Sequence, residues 1–142
     1  MRVIGLDLGT KTLGISSSDL SKTIASTYKT INFKSEDYNF AIVELKKVIE
    51  ELNPELLVLG LPKNMDGSIG FQAQKTLDFK ELLEKETKLE VVMIDERLTS
   101  KMANNIMIQA DLSRKKRKTK VDKLAAALIL QSYLDSRKRE IK

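Results

Sequence analysis

The segment Val3-Ile4-Gly5-Leu6-Asp7-Leu8 constrains this chain most, because it is apolar almost throughout and yet holds an acid near its end. A continuous apolar run of this length is the pattern of a strand buried on both faces, which belongs at the centre of a sheet covered by helices. A carboxylate there is costly unless something pairs with it. Two later stretches repeat the arrangement: Asp95 and Glu96 end the apolar run of VVMIDERLTS, and Asp122 precedes the apolar helix of KVDKLAAALIL.

The other segments read as one α/β domain over residues 1–142. Leu13, Ile15 and Ser17 begin a half-buried alternation, and Gly9 with the short GTK link predicts a hairpin. Thr23 to Ile31 is a third, antiparallel strand by its content of Thr, Ile and Tyr. Ile42, Leu45, Val48, Ile49 and Leu52 follow helical spacing, with Ser35 placed to cap the start and Asn53-Pro54 to end it. Leu56 to Leu59 is a short strand, Ile69 to Glu86 a less periodic helix and Val91 to Ile94 a last strand. Helices follow from about Thr99 and about Thr119, and the basic tail from Arg137 to Lys142 reads as frayed. The order βββαβαβα predicts a mixed sheet with helices on both faces.

Composition narrows the chemistry. The chain has neither histidine nor cysteine, which removes disulfides, zinc fingers, thiol nucleophiles and imidazole acid–base catalysis. Carboxylates, hydroxyls, lysines and metals remain. The longest apolar run, Leu124 to Leu130, falls far below the about 18 residues of a membrane span, so the expectation is a cytoplasmic protein without a membrane partner. Net charge is +5, and Arg114, Lys115, Lys116, Arg117, Lys118 and Lys120 alone account for it. A concentrated basic segment on a nearly neutral body points to a polyanion, most simply a nucleic-acid backbone. Its ordinary reading is a solvated loop.

In an open α/β sheet, functional groups gather beyond the carboxyl ends of the strands. Asp7, the segment Gly60-Leu61-Pro62-Lys63-Asn64 and the pair Asp95-Glu96 all follow strands onto one such rim. Asp122 joins them if the last helix packs its LAAALIL run on the sheet with its start toward that rim. Each acid also has an ordinary role: Asp7 as a turn residue, Asp95-Glu96 as complements to a helix dipole, and Asp122 with Thr119 as a helix-start pattern. Together those roles explain poorly why acids sit beside the most apolar segments. Several carboxylates on one rim repel one another, and hard divalent cations relieve the repulsion. Two Mg²⁺ or Mn²⁺ ions suit an all-oxygen site, and such a pair serves in-line displacement at phosphorus. Phosphodiester hydrolysis fits both the acids and the basic segment.

The stretches VIGLDLGTKTLGISSSD, VLGLPKNMDGS, VVMIDERLTS and KVDKLAAALILQSYL, in this order and spacing, resemble the YqgF (RuvX) family of ribonuclease H-like nucleases. The resemblance runs nearly end to end, and the GLPKNMDG and DERLT elements are particular to that family. It implies a five-stranded mixed sheet of order 3-2-1-4-5. It also implies a nuclease, either maturing the 5′ end of pre-16S ribosomal RNA on a ribosomal subunit precursor or resolving Holliday junctions. The family's acidic positions fall on Asp7, Glu96 and Asp122, while Asp95 is the weaker candidate ligand and an orienter of its loop. Ser100 stands where many relatives have threonine, and either hydroxyl caps a helix.

Supporting roles follow from position. Gly9 and Gly67 permit tight backbone geometry, and Lys11, Lys63, Asn64 and Arg97 lie at the proposed rim as candidate phosphate contacts. Arg97 offers two-pronged grip on phosphate, or an ion pair with Asp95. Two rival readings remain. GLDLGT also resembles the first phosphate loop of actin-like ATPases and sugar kinases, but those close two related domains around a nucleotide and 142 residues hold one. A non-catalytic nucleic-acid-binding module predicts metal-independent binding that survives removal of the acids. Both monomer and homodimer are open, with a symmetric junction favouring the dimer.

Overall fold

The three stretches that carry acids become strand ends and a long helix in the computed structural model of the chain. It describes residues 2–35, 37–62, 66, 68–95 and 114–141, with side chains of the last helix described over 124–137. In chain order the elements are β1 (Arg2–Leu8), β2 (Thr12–Ser18), β3 (Ala25–Asn32), α1 (Tyr38–Leu52), β4 (Pro54–Leu61), α2 (Phe71–Thr87), β5 (Glu90–Asp95) and α3 (Arg114–Ile141). The strands form one mixed sheet of order β3-β2-β1-β4-β5. β1 is central, antiparallel to β2 and parallel to β4, as its unbroken apolar run requires. The helix expected from about Thr99 lies outside the described residues, as do Lys63, Asn64, Gly67, Glu96, Arg97 and Ser100.

Strand alternation divides the core in two. Ile4, Leu6, Leu13, Ile15, Leu57 and Leu59 face α1 and α2, meeting Leu45, Val48, Phe79 and Leu83. Val3, Leu56 and Val58 face the other way, against Ile129, Leu130 and Leu134 of α3. The half-buried alternation expected of β2 is therefore wrong: every residue from Leu13 to Ser18 is buried. The reason is α3, which covers the second face closely enough for Ser16 Oγ to donate to the Ala126 carbonyl at 2.8 Å. Small polar residues line that face because a helix backbone lies almost on it.

Local signals were mostly where the spacing put them. Asn53 ends α1 in the left-handed conformation, its N–H donating to the Ile49 carbonyl, and Pro54 opens β4 where a strand tolerates a missing N–H. The start of α1 differs from expectation. Asp37, not Ser35, is the N-cap, and its carboxylate accepts from the Phe40 N–H at 3.3 Å. A carboxylate adjacent to the first turn caps better than a hydroxyl three residues before it, since it also meets the helix dipole. The last helix also starts earlier, at Arg114 rather than Thr119, so Thr119 and Asp122 lie inside α3 and the basic segment is helical rather than a loop. Lysine and arginine are good helix formers, and a helix nucleated by the apolar LAAALIL run propagates back through them. α3 runs on to Ile141, through most of the tail.

Contacts along α3 give its direction. Ala126 lies over Gly5 and Ser16, and Gln131 bonds the Thr23 carbonyl and the Ala25 N–H. Arg137 reaches Glu55 at the start of β4. α3 is therefore antiparallel to β1, with its N-terminal half toward the rim where β1, β4 and β5 end.

Candidate active site

Asp7 is the next-to-last residue of β1 and half-buried, on the face covered by α3 together with Val3 and Gly5. Its partner on β2 is Gly14, and the residue following the Leu6–Leu59 pair on β4 is Gly60. Neither neighbour carries a side chain that would fill the space beside the carboxylate. Glycine therefore flanks Asp7 within the sheet on the β2 side and lies next in register on the β4 side. Sequence reasoning missed these glycines, although glycine inside a strand is a known mark of close approach.

The same device acts one step lower. A Cβ on Gly5 would collide with Ser16 Oγ, lie 2.7 Å from Leu130 Cβ and 2.9 Å from the Ala126 carbonyl oxygen. Only glycine lets α3 approach this closely. One turn back from Ala126, about 6 Å along the helix, is position 122. Two residues on from Gly5, about 6.6 Å along the strand, is Asp7. Both runs lead from the contact toward the rim, so the backbone of Asp122 lies on the rim side of the contact, as Asp7 does. The condition on which its convergence depended is met by the helix backbone, while the side chain lies outside the described residues.

Asp95 ends β5 opposite Leu61. Val91 and Met93 pack toward α1 and α2, whereas Val92 and Ile94 pack toward α3, so alternation gives Asp95 the face opposite to Asp7. Its part in a common carboxylate cluster with Asp7 is correspondingly weak. Glu96 and Arg97 lie beyond the described residues, and so do Lys63 and Asn64. Among the described residues no three acids gather closely enough to hold a metal ion. Lys11 sits exposed in the β1–β2 turn, where Gly9 N–H donates to the Thr12 carbonyl at 2.7 Å and Phe33 N–H to the Lys11 carbonyl at 2.9 Å. A Cβ on Gly9 would lie 2.9 Å from Thr12 Oγ1, which is the tight geometry expected there.

Helix starts gather on the rim side of the sheet. α1 follows β3, α2 follows β4, and α3 points its start the same way, so three helix N-termini face one end of the sheet. None of the three carries an acid in its first turn, but Asp37 caps α1, while α2 has no side-chain cap. α3 is 28 residues long, about 42 Å, against about 23 Å for the seven residues of β1. Residues 114–121 therefore extend about 12 Å past Asp122, beyond the rim, and carry the basic segment with them. Among the described residues no helix is long and apolar enough to cross a membrane.

A family model described as RuvX, Holliday junction resolvase, matches residues 1–136. A protein of Geobacillus sp. (strain WCH70) named "Putative pre-16S rRNA nuclease" is 47% identical over 96% of this chain and 99% of its own length. One of Clostridium acetobutylicum with the same name is 48% identical over 96% and 99%. Among solved structures, RuvC of Thermus thermophilus superposes with a TM-score of 0.59 at 14% identity, covering 96% of each chain, a likeness of fold. Its complex with a Holliday junction substrate gives 0.57 at the same identity, over 96% of this chain and 95% of that one. The sheet order, the acids carried by its strand ends and last helix, and a match over nearly the whole length agree: the chain belongs to the RuvX family, with the ribonuclease H-like fold.

Proposed function

We propose that the chain is a metal-dependent endonuclease that hydrolyses phosphodiester bonds, acting in 5′-end maturation of pre-16S ribosomal RNA. Asp7, Glu96 and Asp122 are its catalytic carboxylates and hold two Mg²⁺ or Mn²⁺ ions. The observation that supports this reading most is the direction of α3, which points the backbone of Asp122 toward the rim that holds Asp7. The donor set fits such ions, since the chain offers oxygen ligands only and the glycines beside Asp7 leave room at its carboxylate. When bound, ions of this kind activate water and stabilise the leaving oxygen in displacement at phosphorus.

The chain's own residues do the rest. Gly5 and Ser16 hold α3 against β1, so the acids from two elements keep a fixed separation. The start of α2, which has no side-chain cap, adds a favourable position for a phosphate at the rim. Arg114, Lys115, Lys116, Arg117, Lys118 and Lys120, with Lys11, Lys63, Asn64 and Arg97, position the strand through its phosphates without reading bases. The substrate partner is nucleic acid. The names of the relatives favour precursor ribosomal RNA, and the family description favours a second reading, resolution of branched DNA.

Cleavage of a pre-16S 5′-leader transcript and of a four-way DNA junction, each in Mg²⁺ and in Mn²⁺, tests these readings. Leader cleavage abolished by chelator is the expected result. Cleavage of the junction alone would transfer the chain to the second reading. Metal-independent binding with no cleavage of either would leave a binding module and remove the catalytic assignment.

A further inference from the structure

Phe71 is the first residue of α2 and is 78% exposed, more than any other large apolar side chain among the described residues. Ile69, two residues earlier, is 48% exposed and extends the same apolar surface. Lys75, one turn on, places its Nζ 4.2 Å from the centre of the Phe71 ring. A cation in that position engages one face of the ring and leaves the other to solvent. α2 begins at the rim where β4 ends, one strand from Asp7, and its N-cap is Gly70, which supplies no side-chain cap. What would cover this ring is selected by its surroundings. An ammonium on one ring face and an uncapped helix start beside it favour an anionic partner that also has a flat apolar surface. An unpaired nucleotide has both.

We propose that Phe71 is a stacking platform for an unpaired nucleobase of the substrate strand, with Lys75 holding the ring from its other face. The proposal rests on the nuclease reading and adds to it a substrate preference: a single-stranded segment next to the cut. Stacking tolerates any base, because every base has a π face, so the platform grips unpaired strand without reading sequence. A paired base in a duplex has its faces occupied by its neighbours and gains nothing from Phe71.

The chain contains no tryptophan, so Phe71→Trp introduces one fluorophore on a silent background. The expected result is quenching of that emission by single-stranded RNA and by single-stranded DNA of the same sequence, with little change on adding blunt duplex. Phe71→Ala should weaken single-strand binding about fivefold or more, the order found for one stacked base, and leave duplex binding within about twofold. Phe71→Leu keeps apolar area but removes the π face, and should behave like Phe71→Ala. Leucine binding as wild type would overturn stacking. A fall in concentration-dependent self-association of Phe71→Ala in sedimentation, with single-strand affinity unchanged, would assign the ring to a second copy of the chain instead. Wild-type protein that binds no nucleic acid would defeat the nuclease reading itself, whereas wild-type binding that Phe71→Ala leaves untouched would defeat this proposal alone.

Discussion

The two ends of the sheet treat their acids in opposite ways. At the end where β1 and β4 begin, Glu55 is bound by Lys22 at 2.5 Å and approached by Arg137 at 3.7 Å. Nearby, Asp19 accepts from the N–H groups of Thr23 and Ile24 and from the Ser21 hydroxyl. Those hydrogen bonds hold its carboxyl down to about 2, and the Lys22 hydrogen bond lowers that of Glu55. Each acid there finds its partners within one loop or one ion cluster. At the other end, Asp7 and the backbone of Asp122, 115 residues apart in sequence, are carried toward one rim by a strand and a helix. Local partnering serves structure. In the proposed nuclease, acids from distant elements serve a ligand that brings the opposite charge.

Substitution at each end should therefore have different consequences. The largest effect is expected from Asp7→Asn, Glu96→Gln and Asp122→Asn, each lowering cleavage by at least the about 10- to 100-fold seen when even outer groups around a metal site are changed. Folding, followed by thermal melting without metal, should be unchanged or improved as repulsion is removed. Wild-type cleavage in any two of the three would mean that the carboxylates have been misassigned.

Gly5→Ala tests whether the two elements are held at a required distance. The added methyl must push α3 off β1, and overpacking of this kind costs about 1 to 3 kcal/mol. Urea unfolding should report that loss. Cleavage measured where the variant is still fully folded should fall as well, because the displacement separates Asp7 from Asp122. Full activity in a destabilised variant would uncouple the helix contact from the site.

The basic start of α3 should affect grip more than chemistry. Replacing Arg114, Lys115, Lys116, Arg117, Lys118 and Lys120 with Gln should flatten the dependence of log K on log salt. Three or four lost phosphate contacts on duplex correspond to a change of roughly 3 in slope. The rate at saturating substrate should fall far less than in the carboxylate variants. An unchanged slope in a salt titration would return these side chains to the role of solvated surface.

Glu55→Gln should have the smallest effect, at the opposite end. Its folded carboxyl lies below its ordinary value of 4.5, so the stability it contributes is present above that value and is lost as pH falls through the lower folded one. Wild type should exceed the variant by under about 1 kcal/mol at pH 7, as expected for a partly exposed pair, and the gap should close toward pH 3. Unfolding curves at the two pH values measure it. A gap that persists in acid would place the effect in packing rather than charge.

Element type and order were legible in the residues because period and punctuation are local properties. The apolar run of Val3–Leu8 was enough to make β1 central, and Asn53-Pro54 marked the junction of α1 and β4. The carboxyl-end rim followed from strand direction alone. Three features were not legible, and each depends on what lies across from a residue. Burial of both faces of β2 came from α3, whose docking no pattern within Thr12–Ser18 reveals. Asp95 ranked below Glu96 by resemblance alone, and only strand pairing gave the physical reason, a face turned away from Asp7. The glycines at 5, 14 and 60 were scattered residues in three strands until the register aligned them beside Asp7 and under α3. Local periodicity records which side of an element is apolar, because that is decided residue by residue against water. Which elements meet on that side, and how closely, is decided by contacts between residues over a hundred positions apart, and only the folded chain makes them.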